Sequence, residues 1–424
     1  MVDSKYYLMF CPITRYLLYV TLSSFFPLYS VMAEDVDLQL AGWLGMAGQY
    51  SKASPTDLIA DPYTYGYDKR FAQVVGMANV RLKSDRLYAQ SQLRFESVKS
   101  KREMSLDEAY GELLLADPVL LYAGRRILSY GQAYGLNPVD LLRDPISENS
   151  IYSDAQARSM VQGDDLIGID VIFDFNNALG LIYLPNNDNP RLNSKESIPM
   201  MRYSGFVVSS GLDYSASIIG GKRAGVGLSF SQVVGGSSVL YLDATLRRGR
   251  EKRVLSGTAP SGALLVEARK AHGLYPFATI GLGYTFENNV STNLELSHDA
   301  GGYSDHEWAQ VLSTLEVISP AQSAVQKRSL GQLNGILNHY TLRQNYAFLR
   351  VSNDRILDRS ISGEITTLYG VDDGSGRIGL RFETSLGERT TTGFYTTHRF
   401  GGNNDEFMLR PRVDTFSLYA SINF

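Results

Sequence analysis

Apolar and polar residues alternate with period two in stretch after stretch of this chain, and that constrains the fold more than any other feature. In the segment 36–46 the even positions Val36, Leu38, Leu40, Leu44 and Met46 are apolar, while Asp37 and Gln39 fall on the opposite side. Leu87, Ala89, Ser91, Leu93 and Phe95 oppose Tyr88, Gln90, Gln92, Arg94 and Glu96, and Leu240, Leu242, Ala244 and Leu246 oppose Tyr241, Asp243, Thr245 and Arg247. The pattern returns in the segments 278–286, 290–297, 377–383 and 416–424. Period two is the spacing of a strand with one dry and one wet face. Charged residues stand repeatedly in mid-strand on the wet face, which fits a barrel enclosing water better than a soluble sandwich. No apolar run of 18 residues follows residue 33, so helical membrane spans are not expected. Tyr (27), Phe (18) and Gly (39) are abundant, as aromatic girdles and glycine-bearing strands would require. The net charge of −4 offers nothing for nucleic-acid binding.

The two ends of the sequence carry a family resemblance. Phe416, Leu418, Ala420, Ile422 and Phe424 form an unbroken apolar face that stops on an aromatic residue. This resembles the C-terminal sorting signal of bacterial outer-membrane β-barrels, and implies that Phe424 engages the outer-membrane barrel assembly machinery. At the other end, Lys5 and Arg15 precede an uncharged apolar run over 16–32, followed by Val31-Met32-Ala33 and the acidic Glu34-Asp35. Residues 1–33 therefore read as a secretory signal, the run being shorter than the ~20 residues of a spanning helix. The only cysteine, Cys11, lies within it, so a mature chain of residues 34–424 has no thiol for disulfides or metal.

Connection lengths provide an independent indication. Short turns are expected at 84–85, 117–118, 176–177, 209–211, 235–237, 287–289, 352–354 and 387–389. Longer connections are expected at 51–68, 97–103, 132–162, 186–199, 220–223, 249–273, 299–337, 371–375 and 401–410. The two kinds alternate strictly, as short periplasmic turns and longer extracellular loops do in membrane barrels. The expected fold is all-β, a transmembrane antiparallel β-barrel of about 18 strands, with 16 to 20 as the bounds. That parity requires Gly262–Ala271 to be loop or short helix.

Two of the longer connections carry more information. Trp308, Val311, Leu312 and Leu315 follow Ser304 at helical spacing and precede Pro320, predicting a helix over 305–318 that lies on, over or in the barrel mouth. Residues 131–163 contain Pro138, Pro145 and several turn formers, predicting an ordered excursion without strands. Just before and within it, Gly124-Arg125-Arg126-Ile127-Leu128-Ser129-Tyr130-Gly131 and Asn137-Pro138-Val139-Asp140 resemble a "GRQ, WG, NP.D" pattern of large porin-like barrels of the alginate-export-like type. The likeness covers 17 residues, with Arg126 in place of Gln and Tyr130 in place of Trp. It implies that Arg125, Asn137 and Asp140 stand at the lumen or its constriction. The alternative is structural, with Arg125 paired to a neighbouring strand and Asn137 capping a turn.

Counting wet faces extends the pore-lining candidates to Arg81, Arg94, Glu96, Glu108, Glu112, Asp170, Asp243, Arg247, Glu364, Arg377, Arg381 and Glu383, with Asp213, Asp358 and Arg399 beside them. Neither an arginine ladder nor a carboxylate ring dominates, so the resemblance to porins implies passive passage of small hydrophilic solutes with weak charge preference. Tyr88, Tyr110, Tyr241 and Tyr395 are either platforms for sugar rings or ordinary wall residues. His298, Asp299, Asp305, His306 and Glu307 have the composition of a metal site but irregular spacing, and read as a solvated loop. No cofactor or metal is expected. The expected partners are the lipid bilayer and lipopolysaccharide, with a homotrimer open. The competing function is a lipase- or protease-like barrel enzyme, although no Gly-x-Ser-x-Gly occurs among the five histidines' surroundings or elsewhere. A plugged transporter or an anchor is the other alternative, and no plug-sized segment precedes Val36.

Overall fold

The computed structural model describes residues 37–53, 70–98, 101–140, 142, 161–174, 176–185, 197–250, 252, 254–267, 273–319, 323–337, 339–356, 360–409 and 412–424. The expected signal segment, Pro145 and Asp358 lie outside them. Eighteen antiparallel strands form one sheet in which each pairs with its sequence neighbours. They are β1 (Asp37–Ala53), β2 (Arg70–Lys83), β3 (Leu87–Val98), β4 (Lys101–Ala116), β5 (Val119–Arg126), β6 (Asp164–Asp174), β7 (Asn177–Leu184), β8 (Ile198–Val207), β9 (Leu212–Ile219), β10 (Gly225–Val234) and β11 (Ser238–Arg248), then β14 to β20 below. Between β11 and β14 a separate hairpin of β12 (Val254–Thr258) and β13 (Leu264–Glu267) stands outside the barrel sheet. The chain continues through β14 (Leu274–Thr285), β15 (Val290–Asp299), helices α1 (Asp305–Ile318) and α2 (Ala324–Leu337), β16 (Asn345–Asn353), β17 (Ile361–Gly370), β18 (Gly376–Leu386), β19 (Thr390–Phe400) and β20 (Arg412–Asn423). Strand β20 returns to β1 with Trp43 opposite Asn423, and Gly42 and Phe424 exchange two backbone hydrogen bonds of 2.9 Å. Closure removes both free edges, so the sheet needs no other device against edge pairing.

Alternation becomes inside and outside. On β14, Thr279 is fully buried, whereas Ile280 and Leu282 are 50% and 45% exposed. Leu38, Leu40, Leu44 and Met46 are likewise exposed on β1. The outer wall is thus a broad apolar belt far beyond the patch size normal for a soluble monomer. The strand ends depart from the sequence reading at four places. The connection expected at 97–103 shrinks because β3 and β4 extend to Val98 and Lys101, and the turn expected at 352–354 is displaced to 354–360. Within 262–271, Leu264–Glu267 is strand rather than loop or helix. The turn at Pro260-Ser261 returns the chain, with Gly262 N–H donating to Ala259 O, and the extra pair leaves the barrel parity intact because it lies outside the sheet. Finally, a second helix, α2, follows the predicted one.

Helix α1 starts where its capping residues dictate. Ser304 Oγ accepts from the Glu307 N–H while the Glu307 carboxylate accepts from the Ser304 N–H, satisfying two otherwise unpaired groups. Its apolar stripe of Trp308, Val311, Leu315 and Ile318 is buried with Leu330, Leu333, Ile336 and Leu337 of α2, Leu255 of β12 and Leu409. Connections after β11, β15 and β19 therefore share one small core at the long-loop end. The residues that resembled a metal site are held there by ion pairs: Glu307 with Arg250, Asp299 with Lys252, and Asp305 with Arg343.

At the β4–β5 seam, Gly124 has φ +122° and lies directly against the Ala109 carbonyl. A Gly124→Ala substitution adds both a strained dihedral and a backbone clash, and should destabilise the barrel by about 3 kcal/mol. The folded fraction in a urea titration, followed by heat-modifiable gel mobility, measures it.

Candidate functional site: a lumen crossed by a loop

After β5 the chain leaves the wall instead of turning back along it. Gly131, at φ +89°, swings the backbone inward, and no side chain fits there because Val139 and the Asn137 and Asp243 oxygens close around its Cα. Asn137 fixes the next turn: its Nδ2 donates to Tyr130 O at 2.6 Å, and its Oδ1 accepts from the Val139 N–H at 3.1 Å. Between these points the loop lies against strands far away in sequence. Gln132 and Ala133 N–H both donate to Asp243 Oδ2, at 2.7 and 2.8 Å. Tyr134 and Gly135 N–H donate to the two Glu295 oxygens at 2.6 and 2.9 Å, and Thr279 Oγ1 donates to Leu136 O at 2.8 Å. Each carboxylate is itself oriented by the wall, Asp243 by Ser229 Oγ and Glu295 by the Tyr241 hydroxyl.

A second inward segment meets the first. Phe407, on the connection after β19, is buried in a cluster with Leu136, Tyr346, Phe348 and Leu368. Beside it the Glu406 carboxylate accepts from Leu342 N–H (2.7 Å), Arg343 N–H (3.2 Å) and the Tyr346 hydroxyl (2.6 Å). The two loops thereby pack against the inner wall, and charged groups of that wall stand beside them.

That wall is built from repeated groups of arginine, tyrosine and carboxylate. Arg126 lies between the Tyr110 and Tyr122 rings, 5.0 and 4.8 Å from their centroids, and pairs with Glu112 at 3.0 Å. Arg350 packs on Tyr134 of the loop and donates to Glu364 at 2.6 Å. Arg381 packs on Tyr395 and Tyr419 and reaches Glu383 at 3.4 Å. Stacking leaves a guanidinium edge free for hydrogen bonding while the ring holds its plane. Arg377 likewise packs on Tyr340 of the helical connection.

The register places Arg81, Arg94, Glu96, Glu108, Glu112, Asp170, Arg247, Glu364, Arg377, Arg381 and Glu383 on the inner face. Arg81 bonds Gln90, Gln90 bonds Glu108, and Glu108 also accepts from the Ile127 N–H at the root of the loop. Glu96 accepts from Gln73, and Asp170 from the Tyr122 hydroxyl. Three assignments need correction. Arg125 does not face the lumen: Tyr122 and Arg126 share the inner face, so Arg125 points outward, where it makes a two-pronged ion pair with Asp165 at 2.8 Å. Asp243 is on the inner wall but fully covered by the loop it anchors, so its carboxylate is not presented to the pore. Asn137 is spent within the loop backbone, as the structural alternative has it; Asp140 lies half-buried in the same loop. Among the tyrosines, Tyr241 is buried against Glu295, and Tyr110 and Tyr395 carry arginines on their rings.

Sequence reading missed Arg126, Arg350, Asp107 and Glu295 as site residues, and Arg202, which packs 4.6 Å from the Tyr130 ring centroid at the loop stem. Val119–Arg126 is apolar on both faces, so nothing local tells which of two adjacent arginines points inward. Asp107 enters through a bulge between Ser105 and Glu108, which gives β4 one extra residue and delivers the carboxylate to Arg94 at 2.9 Å. Glu295 was visible on a wet face, but its role depends on a loop 160 residues earlier in the chain.

No protein-family model matches the chain, and no curated protein matches it. Solved structures do. Pseudomonas aeruginosa OccK11 (OpdR) aligns with TM-score 0.53 at 10% identity, over 92% of this chain and 96% of that one. P. aeruginosa OccK2 (OpdF) gives 0.53 at 11% identity over 92% and 98%, and Acinetobacter baumannii OccAB1 gives 0.54 at 8% over 92% and 97%. At such identities the likeness is one of fold: the chain is an 18-stranded barrel of the outer-membrane porin type.

Proposed function

We propose that this protein is an outer-membrane channel for passive diffusion of small hydrophilic solutes. Its belt of outward Leu, Ile, Val and aromatic side chains meets lipid, and its long connections face outside the cell. The observation that carries the reading is the loop 131–140, bonded across the lumen to Asp243 and Glu295, which narrows a hydrated tube without filling it with a separate domain. Solutes then pass the charged wall of Arg81, Arg94, Glu96, Glu112, Arg126, Arg350, Glu364 and Glu383, with the buried Glu108 and Arg381 bracing it from behind. Guanidinium groups and carboxylates alternate there, so the wall favours polar molecules able to exchange water for either sign of partner, with no bond made or broken. The reading includes removal of residues 1–33, assembly through Phe424 and contact with lipopolysaccharide.

Single-channel recording of the refolded protein in planar bilayers tests it. Discrete, stable openings are expected, with a small reversal potential in a salt gradient because neither charge dominates. Arg350→Gln and Arg381→Gln should each leave an unbalanced glutamate and move the reversal potential toward cation preference. A folded barrel that stays electrically silent would overturn the reading in favour of a plugged transporter, an enzyme or an anchor.

A further inference from the structure

The tyrosines of the barrel strands have little ring surface to offer a solute. Tyr122, Tyr241 and Tyr419 lie on Gly168, Gly281 and Gly393 of the adjacent strands, where no Cβ holds the rings off the sheet. Tyr122 and Tyr419, like Tyr110 and Tyr395, also carry a guanidinium. Tyr134 differs because it projects from the lumen loop and not from a strand. Ala133, Leu136, Pro138 and Val139 of that loop are buried, and only Gln132 and Tyr134 among residues 131–140 are exposed, Tyr134 by 42%. A segment bonded through its backbone to the inner wall exposes its side chains to the lumen, so the loop presents one amide and one phenol ring to passing solutes.

The ring is held in place from behind. Its own backbone N–H donates to Glu295 at 2.6 Å, Gly135 lies directly against Phe348, and the Arg350 guanidinium covers the ring at 5.4 Å from its centroid. Glu364 holds Arg350 in turn, at 2.6 Å. Such a surface discriminates by charge. The attraction of the ring for cations is already engaged by Arg350, so a cationic solute gains little there. Carboxylates outnumber guanidinium groups at the loop, Asp243, Glu295 and Glu364 against Arg350, so an anionic solute is repelled. The surface suits a neutral molecule with an apolar C–H face and a rim of hydroxyls. The C–H face covers aromatic area. Each hydroxyl both donates and accepts, which matches the Gln132 amide, the Arg350 donors and the Glu364 acceptors.

We infer that the constriction is a subsite for the ring of a neutral sugar, stacked on Tyr134 with its hydroxyls bonded to Gln132, Arg350 and Glu364. The inference rests on the channel reading above, and deepens it by naming the class of solute and the residues that select it. Its affinity is low enough to release the sugar on the far side, as passage requires.

Current through the refolded protein in planar bilayers, titrated with maltose, sorbitol, glutamate and lysine, tests it. Maltose should block the current saturably and add noise. Sorbitol, which has hydroxyls without the ring, should need about tenfold more, and glutamate and lysine should give no saturable block. Tyr134→Ala should weaken the maltose block about tenfold, whereas Tyr134→Phe, which keeps the ring, should stay within about twofold of wild type. The bonds that dock the loop come from its backbone, so these variants keep it in place. Heat-modifiable mobility and sugar-free conductance check this, and Tyr134→Leu replaces the alanine variant if that one does not fold. Maltose that fails to block, glutamate that blocks more tightly than maltose, or a maltose block undiminished in Tyr134→Ala overturns the inference while leaving a conducting channel. If the folded barrel conducts nothing, the channel reading falls. Calorimetric titration of maltose into wild type and Tyr134→Ala in detergent then decides the subsite separately: binding lost in the variant upholds it, and no binding to wild type overturns it.

Discussion

Combining Asp243→Asn with Glu295→Gln should raise single-channel conductance severalfold and add open-channel noise. Four backbone N–H groups of residues 132–135 converge on these two carboxylates, which are 0% and 1% exposed. Hydrogen bonds to a charged acceptor contribute roughly 1.5–3 kcal/mol each, and a donor left unpaired inside costs a further 1–3 kcal/mol. An amide keeps the shape but offers one acceptor oxygen, and its NH₂ faces N–H groups that already donate. Several kcal/mol of docking are therefore lost while the wall strands keep their ladders. The loop then leaves the wall, and the lumen widens toward the diameter of the bare barrel. Asp213→Asn serves as the control, since that carboxylate stands exposed on the inner face of β9, nearer the short turns. Unchanged conductance in the double variant, with the barrel folded, would show that the loop does not set the constriction.

The connection after β19 should loosen as pH rises. Burial pushes the Glu406 carboxyl up from 4.5 to about 7, against the opposing effect of its hydrogen bonds from the Tyr346 hydroxyl and the Leu342 N–H and of Lys252; Asp373 reinforces the rise. Around it stand the Tyr346 hydroxyl, the Leu342 and Arg343 amides, Lys252 and Asp373, while the Arg343 guanidinium is directed to Asp305 and Asp372. The docked loop holds the proton more tightly than an exposed glutamate does, so docking is strongest below about pH 4.5 and weakens as the pH passes through about 7. The whole change amounts to roughly 3 kcal/mol. Conductance measured from pH 5 to pH 8 should rise, because Phe407 and its neighbours leave the mouth together with Glu406. Glu406→Gln carries no proton to lose, so its conductance should show no step between pH 5 and pH 8, whichever level the amide's own docking sets. Opening on acidification, or an undiminished step in the variant, would show that some other group titrates.

The contrast between Glu295 and Arg125 shows how far the sequence reaches. Both are charged and both lie on strands. Glu295 falls among Leu294 and Leu296 in a strict alternation, and its inward direction is legible from two neighbours. Arg125 lies in Val-Leu-Leu-Tyr-Ala-Gly-Arg-Arg, where both faces are apolar, and only the pairing of Glu112 with Tyr122 across the seam selects Arg126 for the lumen. The helix over 305–318 was readable because its cap and its stripe are written within 15 residues. Its companion α2 carries signals of the same kind, Leu330, Leu333, Ile336 and Leu337 at helical spacing after the Ser323–Gln326 capping pair, which the sequence reading passed over.

By itself, the sequence determined most of the strands, their wet and dry faces, and a barrel of about 18 strands within bounds of 16 to 20. Each of those is a local property: a residue's face is set by its immediate neighbours, and a turn by the few residues that make it. Tertiary structure alone decided that residues 131–140 cross the lumen, that Asp243 is an anchor instead of a pore charge, and that Glu406 is sealed beneath the mouth. Those outcomes depend on groups up to 161 residues apart meeting at hydrogen-bonding distance. No window of sequence contains both partners.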